Sequence, residues 1–131
     1  MAKKMNPFVK KLWVEHLLSD WYVQNFQIDD QNGIPLRTED DKWSPFGVLC
    51  NIHAQTFPDA AQQETEKTSY QDYEYLIPRH VATWAGLKDR GTCLKFDTPI
   101  SFDGNKYENL EDMFMDGVPF FMIADVIEEK F

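Results

Sequence analysis

The chain has 131 residues, 43% of them hydrophobic and 15% aromatic, which is the size and balance of one globular domain with its own core. A formal net charge of −9 and a pI near 4.7 exclude sequence-independent nucleic-acid binding, whose affinity comes from Lys and Arg neutralising phosphates. No apolar run is long enough to span a bilayer, and two cysteines, Cys50 and Cys93, make no disulfide framework and read as reduced thiols of a cytoplasmic protein.

The N-terminal MAKKMNPFVKKLW is basic, as a leader would be, but Glu15 and His16 interrupt the apolar stretch and no small-residue cleavage site follows. Asn6-Pro7 is instead a helix start: Asn caps, and Pro at the first helical position has no N–H to lose. Phe8, Val9, Leu12, Trp13, Leu17 and Trp21 recur at helical spacing, and the helix is expected to end near Ser19. Trp21 to Ile28 reads as a strand, 29–33 as a turn and Ile34 to Thr38 as the returning strand, short or at an edge because Pro35 cannot donate to a ladder.

Ser44-Pro45 repeats the cap-and-proline signal. Phe46, Leu49, Cys50, His53 and Phe57 then share one face, with Val48 and Ile52 as a second apolar row, so this helix should be central. Gly47 in its first turn costs about 1 kcal/mol relative to Ala, which close backbone packing would justify. The stretch PDAAQQETEKTSYQD at 58–72 is polar, without a pattern, and reads as a mobile loop. Tyr73 to Ile77 reads as a strand. Pro78 opens a short helix that Gly86 stops, with Leu87 folding back as in a left-handed cap. Leu94 to Phe96 and Ile100 to Phe102 are expected to pair, with Asp103-Gly104 as the exit turn. A helix from about Tyr107 to Met115 ends at Asp116-Gly117, and a last helix from Pro119 places Phe120, Ile123, Ala124, Ile127 and Phe131 on one face. The expected class is α+β: a single domain over 1–131, with about five helices packed on a small antiparallel sheet.

Several chemistries can be weighed against this layout. Cys50 and His53 could supply two zinc ligands, but His16, His80 and Cys93 offer no second pair. Both lie on the most apolar helix, where a thiolate nucleophile would lack an electropositive setting. They read as core, and no metal or cofactor is expected. A calcium loop counted from Gly33 matches Asp30, Asn32 and Glu39, yet its first position is Ile28 and Pro35 lies inside it, so a hairpin turn fits better. Helix-turn-helix spacing around Gly117 leaves no recognition helix before Phe131, and Asp125, Glu128 and Glu129 would face phosphates with the wrong sign. Arg37, Arg79, His80, Lys88 and Arg90 could form a local anion or nucleotide pocket, with Pro78-Arg79-His80 at a helix start and Trp43 or Trp84 as a stacking face. Scattered surface cations are the commoner explanation of such residues. From Asp103 onward, eight acids face Lys106 and Lys130 alone, and Asp116, Asp125, Glu128 and Glu129 form a candidate acidic face for a basic partner.

Trp13 to Leu17, Tyr22-Val23-Gln24, Leu36-Arg37, Phe46-Gly47-Val48-Leu49-Cys50-Asn51, Ile77-Pro78 through Trp84-Ala85-Gly86-Leu87, and Met115-Asp116-Gly117 through Ile123-Ala124-Asp125-Val126-Ile127-Glu128 occur in that order over nearly the whole chain. Together they resemble a group of small proteins encoded by tailed bacteriophages and prophages. The chain departs from that group at Ser44-Pro45, where relatives often carry cysteines, and at Asn51 and Met115, where they tend to have Asp and Asn. The resemblance carries over no catalytic residues. It implies a non-enzymatic accessory protein of the bacterial host's cytoplasm that binds stoichiometrically. The foremost expectation is an inhibitor of a host defence protein, itself basic or nucleic-acid-binding, through the acidic face with Phe and Met anchors. Sequestration of a nucleotide signal is the alternative and a small hydrolase the third reading; direct nucleic-acid and membrane binding are not expected.

Overall fold

Asn6 opens the first helix by accepting hydrogen bonds from the Phe8 and Val9 N–H groups at 2.9 and 3.3 Å, and Pro7 follows at its first position. The computed structural model describes residues 5–26, 33–59, 70, 73–87 and 93–131. Helix α1 (Pro7–Leu18) ends as Ser19 turns away in extended conformation. Val9, Trp13, His16 and Leu17 are its buried residues. Phe8 and Trp21, expected on the same apolar face, are 70% and 69% exposed. Phe8 sits one step, roughly 100°, round the helix from Val9, and Trp21 lies beyond the last turn.

Strand β1 (Val23–Gln24) does not return through a hairpin into 34–38. It pairs in parallel with β2 (Lys42–Trp43), and the expected turn at 29–33 lies mostly outside the described residues. The antiparallel partner of β2 is Arg37, facing Trp43. A local turn competes successfully for this segment. The Lys42 N–H donates to the Thr38 hydroxyl at 2.9 Å, the Thr38 N–H to the Lys42 carbonyl at 2.8 Å, and Asp41 takes φ of 63°. Pro35, without a donor, could not have extended a ladder.

Ser44 caps α2 (Pro45–Thr56), accepting from the Gly47 N–H at 3.1 Å. The need for Gly47 is steric. A Cβ there would lie 1.8 Å from the Leu36 carbonyl oxygen. Leu36 runs across this first turn, its carbonyl accepting from the Ser44 N–H and its own N–H donating to Glu74. That Glu74 contact, with a single bridge between Tyr70 and Tyr73, replaces the strand expected at 73–77. The polar stretch 58–72 falls mostly outside the described residues, but Tyr70 within it is buried.

Helix α3 (Arg79–Ala85) ends at Gly86 in the left-handed region, and the Leu87 N–H folds back onto the Ala82 carbonyl at 2.7 Å. Gly86 also abuts the start of α1, where the Asn6 N–H donates to the Ala85 carbonyl. The expected pairing of 94–96 with 100–102 is replaced by one strand, β3 (Lys95–Phe102), antiparallel to β4 (Asn105–Asn109). Asp103 and Gly104, with φ of 50° and 81°, form the hairpin turn itself, because two positive-φ residues match the twist of the strands they join. Pro99 accounts for the irregular register between Lys95 and Ile100. With 105–109 in this ladder, the next helix cannot start at Tyr107. It starts as α4 (Leu110–Met115), capped by Asn109.

Helix α5 (Phe120–Lys130) runs antiparallel to α1: the Met5 N–H donates to the Phe131 carbonyl at 3.1 Å, and Lys10 Nζ reaches the Glu128 carbonyl. Phe120, Ile123, Ala124, Ile127 and Phe131 are all buried, as their spacing requires. Among the described residues the architecture is α+β, with five helices, one antiparallel strand pair and one parallel pair. The core centres on α2, with Phe46 edge-on to Phe114 at 4.8 Å and Trp13 donating its indole N–H to the Pro45 carbonyl at 2.9 Å.

Candidate functional site

Three groups of side chains carry enough chemistry to be weighed, and the first two are structural. His53 on α2 is 6% exposed, and its Nδ1 shares a 2.6 Å hydrogen bond with the Tyr70 hydroxyl. Trp84 and Phe57 pack against its ring at 5.0 and 4.9 Å. Burial, then the nearby His80, lower its pKa from 6.5, so it serves as a neutral hydrogen-bonding core residue. His16 on α1 repeats the arrangement: its Nδ1 is 2.8 Å from the Tyr22 hydroxyl, which also accepts from Asn51 Nδ2 at 2.9 Å. Burial again lowers the histidine pKa. The Tyr22 phenol, half-buried, is pushed up. These histidine–tyrosine pairs tie α1, α2 and the flanking loops together. Among the described residues, no three His, Cys, Asp or Glu side chains gather as metal ligands.

Of the candidate anion pocket, Lys88 and Arg90 lie outside the described residues. Arg37 stands 4.6 Å over the Trp43 ring and donates through Nε to Asp41 at 2.9 Å. One face of the Trp43 ring is therefore covered by an arginine that already has a carboxylate. Arg79 and His80 are exposed on the first turn of α3.

The third group is on the surface. Along α5 the exposed positions Phe121, Asp125, Glu128 and Glu129 alternate with the buried ones, so the inward face fixes the orientation of the outward one. Toward the C-terminal end this acidity is tempered, since Lys10 lies against the Glu128 carbonyl and Lys130 is 3.7 Å from Glu129. Toward the N-terminal end it is reinforced. Asp116 is exposed at the α4–α5 turn, and burial together with Asp116 and Glu108 raises the Asp112 pKa. Burial and then Asp112 raise that of Glu111. These are carboxylates crowded by their own kind.

An open pocket of about 270 Å³ adjoins this end, lined by residues including Phe102, Asp103, Tyr107, Asp116 and Pro119. Burial and a hydrogen bond to the Asp116 carboxylate raise the Tyr107 pKa, keeping that phenol a donor.

Phe anchors were expected beside the acidic face; what sequence reasoning missed is the apolar surface around them at the end of α1 and β1. Leu18, Trp21, Val23, Phe26 and Phe121 are 56–69% exposed. Gln24 fastens β1 to the start of α5, donating to the Val118 carbonyl and accepting from the Phe120 N–H at 2.9 and 2.7 Å. Phe26 lies beside Gly117. One signal was available: Phe120 and Phe121 are consecutive on a helix and cannot both face one core.

Among the described residues, no helix is long and apolar enough to cross a membrane. Neither the curated proteins nor the solved structures contain a match to this chain. One family model, described as a domain of unknown function (DUF8296), matches residues 5–131; with nearly its full length covered, the chain belongs to the DUF8296 family.

Proposed function

We propose that this protein is a small phage or prophage accessory protein that acts by stoichiometric binding, inhibiting a basic host protein, most naturally one of host defence, within the bacterial cytoplasm. The phage part rests on the ordered motifs from Trp13 to Glu128 described above. The binding part rests on one observation: a rigidly oriented helix face that exposes Asp125, Glu128 and Glu129 while its other side is sealed in the core. Charges fixed in this way steer and orient a partner of opposite sign. Groups that could have served catalysis, His16 and His53, are committed to core hydrogen bonds. Nucleotide sequestration is the weaker reading, because Arg37 is paired with Asp41 and covers one face of the Trp43 ring.

The test is recovery of a tagged chain from infected bacteria. The wild-type protein should bring down a partner in near-equimolar amount, and added salt should weaken the complex. The triple variant Asp125→Lys, Glu128→Lys, Glu129→Lys should recover none. Undiminished capture by that variant would refute the acidic face.

A further inference from the structure

We propose that the exposed apolar end formed by the close of α1, β1 and the start of α5 is the anchor of the partner site, and that its occupant is a basic segment carrying apolar side chains flanked by Lys or Arg. The proposal rests on the acidic-face reading and adds to it where the interface is centred and what kind of chain it takes.

Antiparallel packing of α1 on α5 carries Leu18 to the end where Phe121 stands. The Gln24 bridge brings Val23 and Phe26 to that same end, and Trp21 follows directly from α1. The Trp21 ring is not loose: it packs at a right angle to His16 with ring centroids 4.9 Å apart, so a large apolar surface is held out while one ring contact orients it. Rigid aromatic side chains of this kind supply contact area at low entropic cost and dominate protein interfaces.

The surroundings of this end select the occupant. Phe121 heads the exposed stripe that continues as Asp125, Glu128 and Glu129. On the other side, Phe26 lies beside Gly117, and Gly117 lines the pocket where Asp103 and Asp116 stand with Phe102. That pocket offers two carboxylates and an aromatic surface to one ammonium or guanidinium group. Asp20 is exposed in the link from α1 to β1. An apolar centre with an acidic rim is complementary to a basic amphipathic segment. It is not complementary to a second copy, which would set the same carboxylates against each other in a chain of net charge −9, and an anionic lipid surface would be repelled for the same reason.

The experiment is calorimetric titration with three synthetic peptides of equal length: a leucine–lysine amphipathic helix, a leucine–glutamate counterpart and a serine–lysine counterpart. The leucine–lysine peptide should bind, and the other two should bind at least about tenfold more weakly. Trp21→Ser with Phe121→Ser should weaken leucine–lysine binding by a similar factor. Because both side chains are exposed, the melting curve should be unchanged, and sedimentation should show a monomer for both proteins. Equal binding of the serine–lysine peptide, insensitive to the apolar pair but lost on reversal of Asp125, Glu128 and Glu129, would overturn this anchor and leave the acidic face standing. Equal binding of the leucine–glutamate peptide would overturn both. A dimer dissolved by Trp21→Ser with Phe121→Ser, binding to lipid vesicles in place of peptide, or no binding of the leucine–lysine peptide would each overturn the proposal.

Discussion

Helices α2 and α5 have nearly the same length, twelve and eleven residues, and a Pro-Phe pair stands at the start of each, within α2 as Pro45-Phe46 and across the cap of α5 as Pro119-Phe120, yet they do opposite work. In α2 eight residues are buried, including its Cys and His; in α5 four are buried, and the exposed positions before the final Lys130 are acidic or aromatic. The residues that look most reactive in the sequence, Cys50 and His53, belong to the enclosed helix, where their work is packing and hydrogen bonding. The helix with ordinary residues is the one that meets solvent. Chemical reactivity of a residue type is thus a poorer guide to a site here than the geometry of what remains uncovered.

The contrast can be broken most directly at Phe46, which is fully buried edge-on to Phe114. Phe46→Ala should cost about 4 kcal/mol through lost transfer energy and the cavity left behind. Chemical denaturation should show a lower midpoint at unchanged slope. A loss below about 1 kcal/mol would mean that α2 is not the centre of the core.

Gly47→Ala should follow, at about 3 kcal/mol, because the added methyl meets the Leu36 carbonyl and a backbone atom cannot swing away. Gly104→Ala is its control. That glycine has φ of 81° and nothing within 4 Å of an added Cβ, so only backbone strain of about 1 kcal/mol is expected. Since Gly47 is helical and has no positive φ to relieve, equal losses would show that the Leu36 crossing gives way to a methyl at little cost.

Much of this was legible in advance. The two cap-and-proline starts, the glycine stops and the buried face of α5 follow from local rules, since Asn6, Ser44, Gly86 and Ile123 act within a few residues of themselves. The β pairings did not follow. Residues 34–44 contain both an apolar segment and an acidic turn, and which strand Trp43 meets depends on Gln24 of β1 arriving from nineteen residues upstream. The candidate site divides in the same way. Asp125, Glu128 and Glu129 stand on a periodic helix and could be placed outside, whereas the exposure of Trp21 and Phe26 depends on Gln24 reaching α5, a contact across more than ninety residues.

The buried histidines give a pH signature intermediate in size. Burial lowers the pKa of both His16 and His53 from 6.5, so the unfolded chain binds more protons than the folded one as pH drops below about 6.5. Stability should be full above that value and fall as pH decreases toward the folded-state pKa values. Glu111 and Asp112, raised from 4.5 and 3.8, act in the opposite sense at lower pH, favouring the fold as they protonate. The melting temperature should therefore decline as pH falls below about 6.5, and the decline should lessen once Glu111 and Asp112 begin to protonate. His53→Gln should lower the melting temperature throughout and make that decline shallower. A slope unchanged by His53→Gln would mean that the decline arises elsewhere.

The smallest expected effect on stability belongs to the face with the largest expected effect on binding. Asp125, Glu128 and Glu129 are exposed, and exposed substitutions away from caps and cores stay within about 0.5 kcal/mol. Reversing all three to lysine is not wholly neutral, because a helix C-terminus favours cations, so Glu128→Lys and Glu129→Lys should gain a few tenths of a kcal/mol. The nearby Lys10 and Lys130 oppose that gain by repulsion between like charges. The two contributions are similar in size and opposite in sign, and raising the salt should shrink both. The melting temperature of the triple variant should therefore match the wild type within a few degrees at any ionic strength. A drop comparable to that of Phe46→Ala would show that the acids are structural, and the division of labour between α2 and α5 would fail.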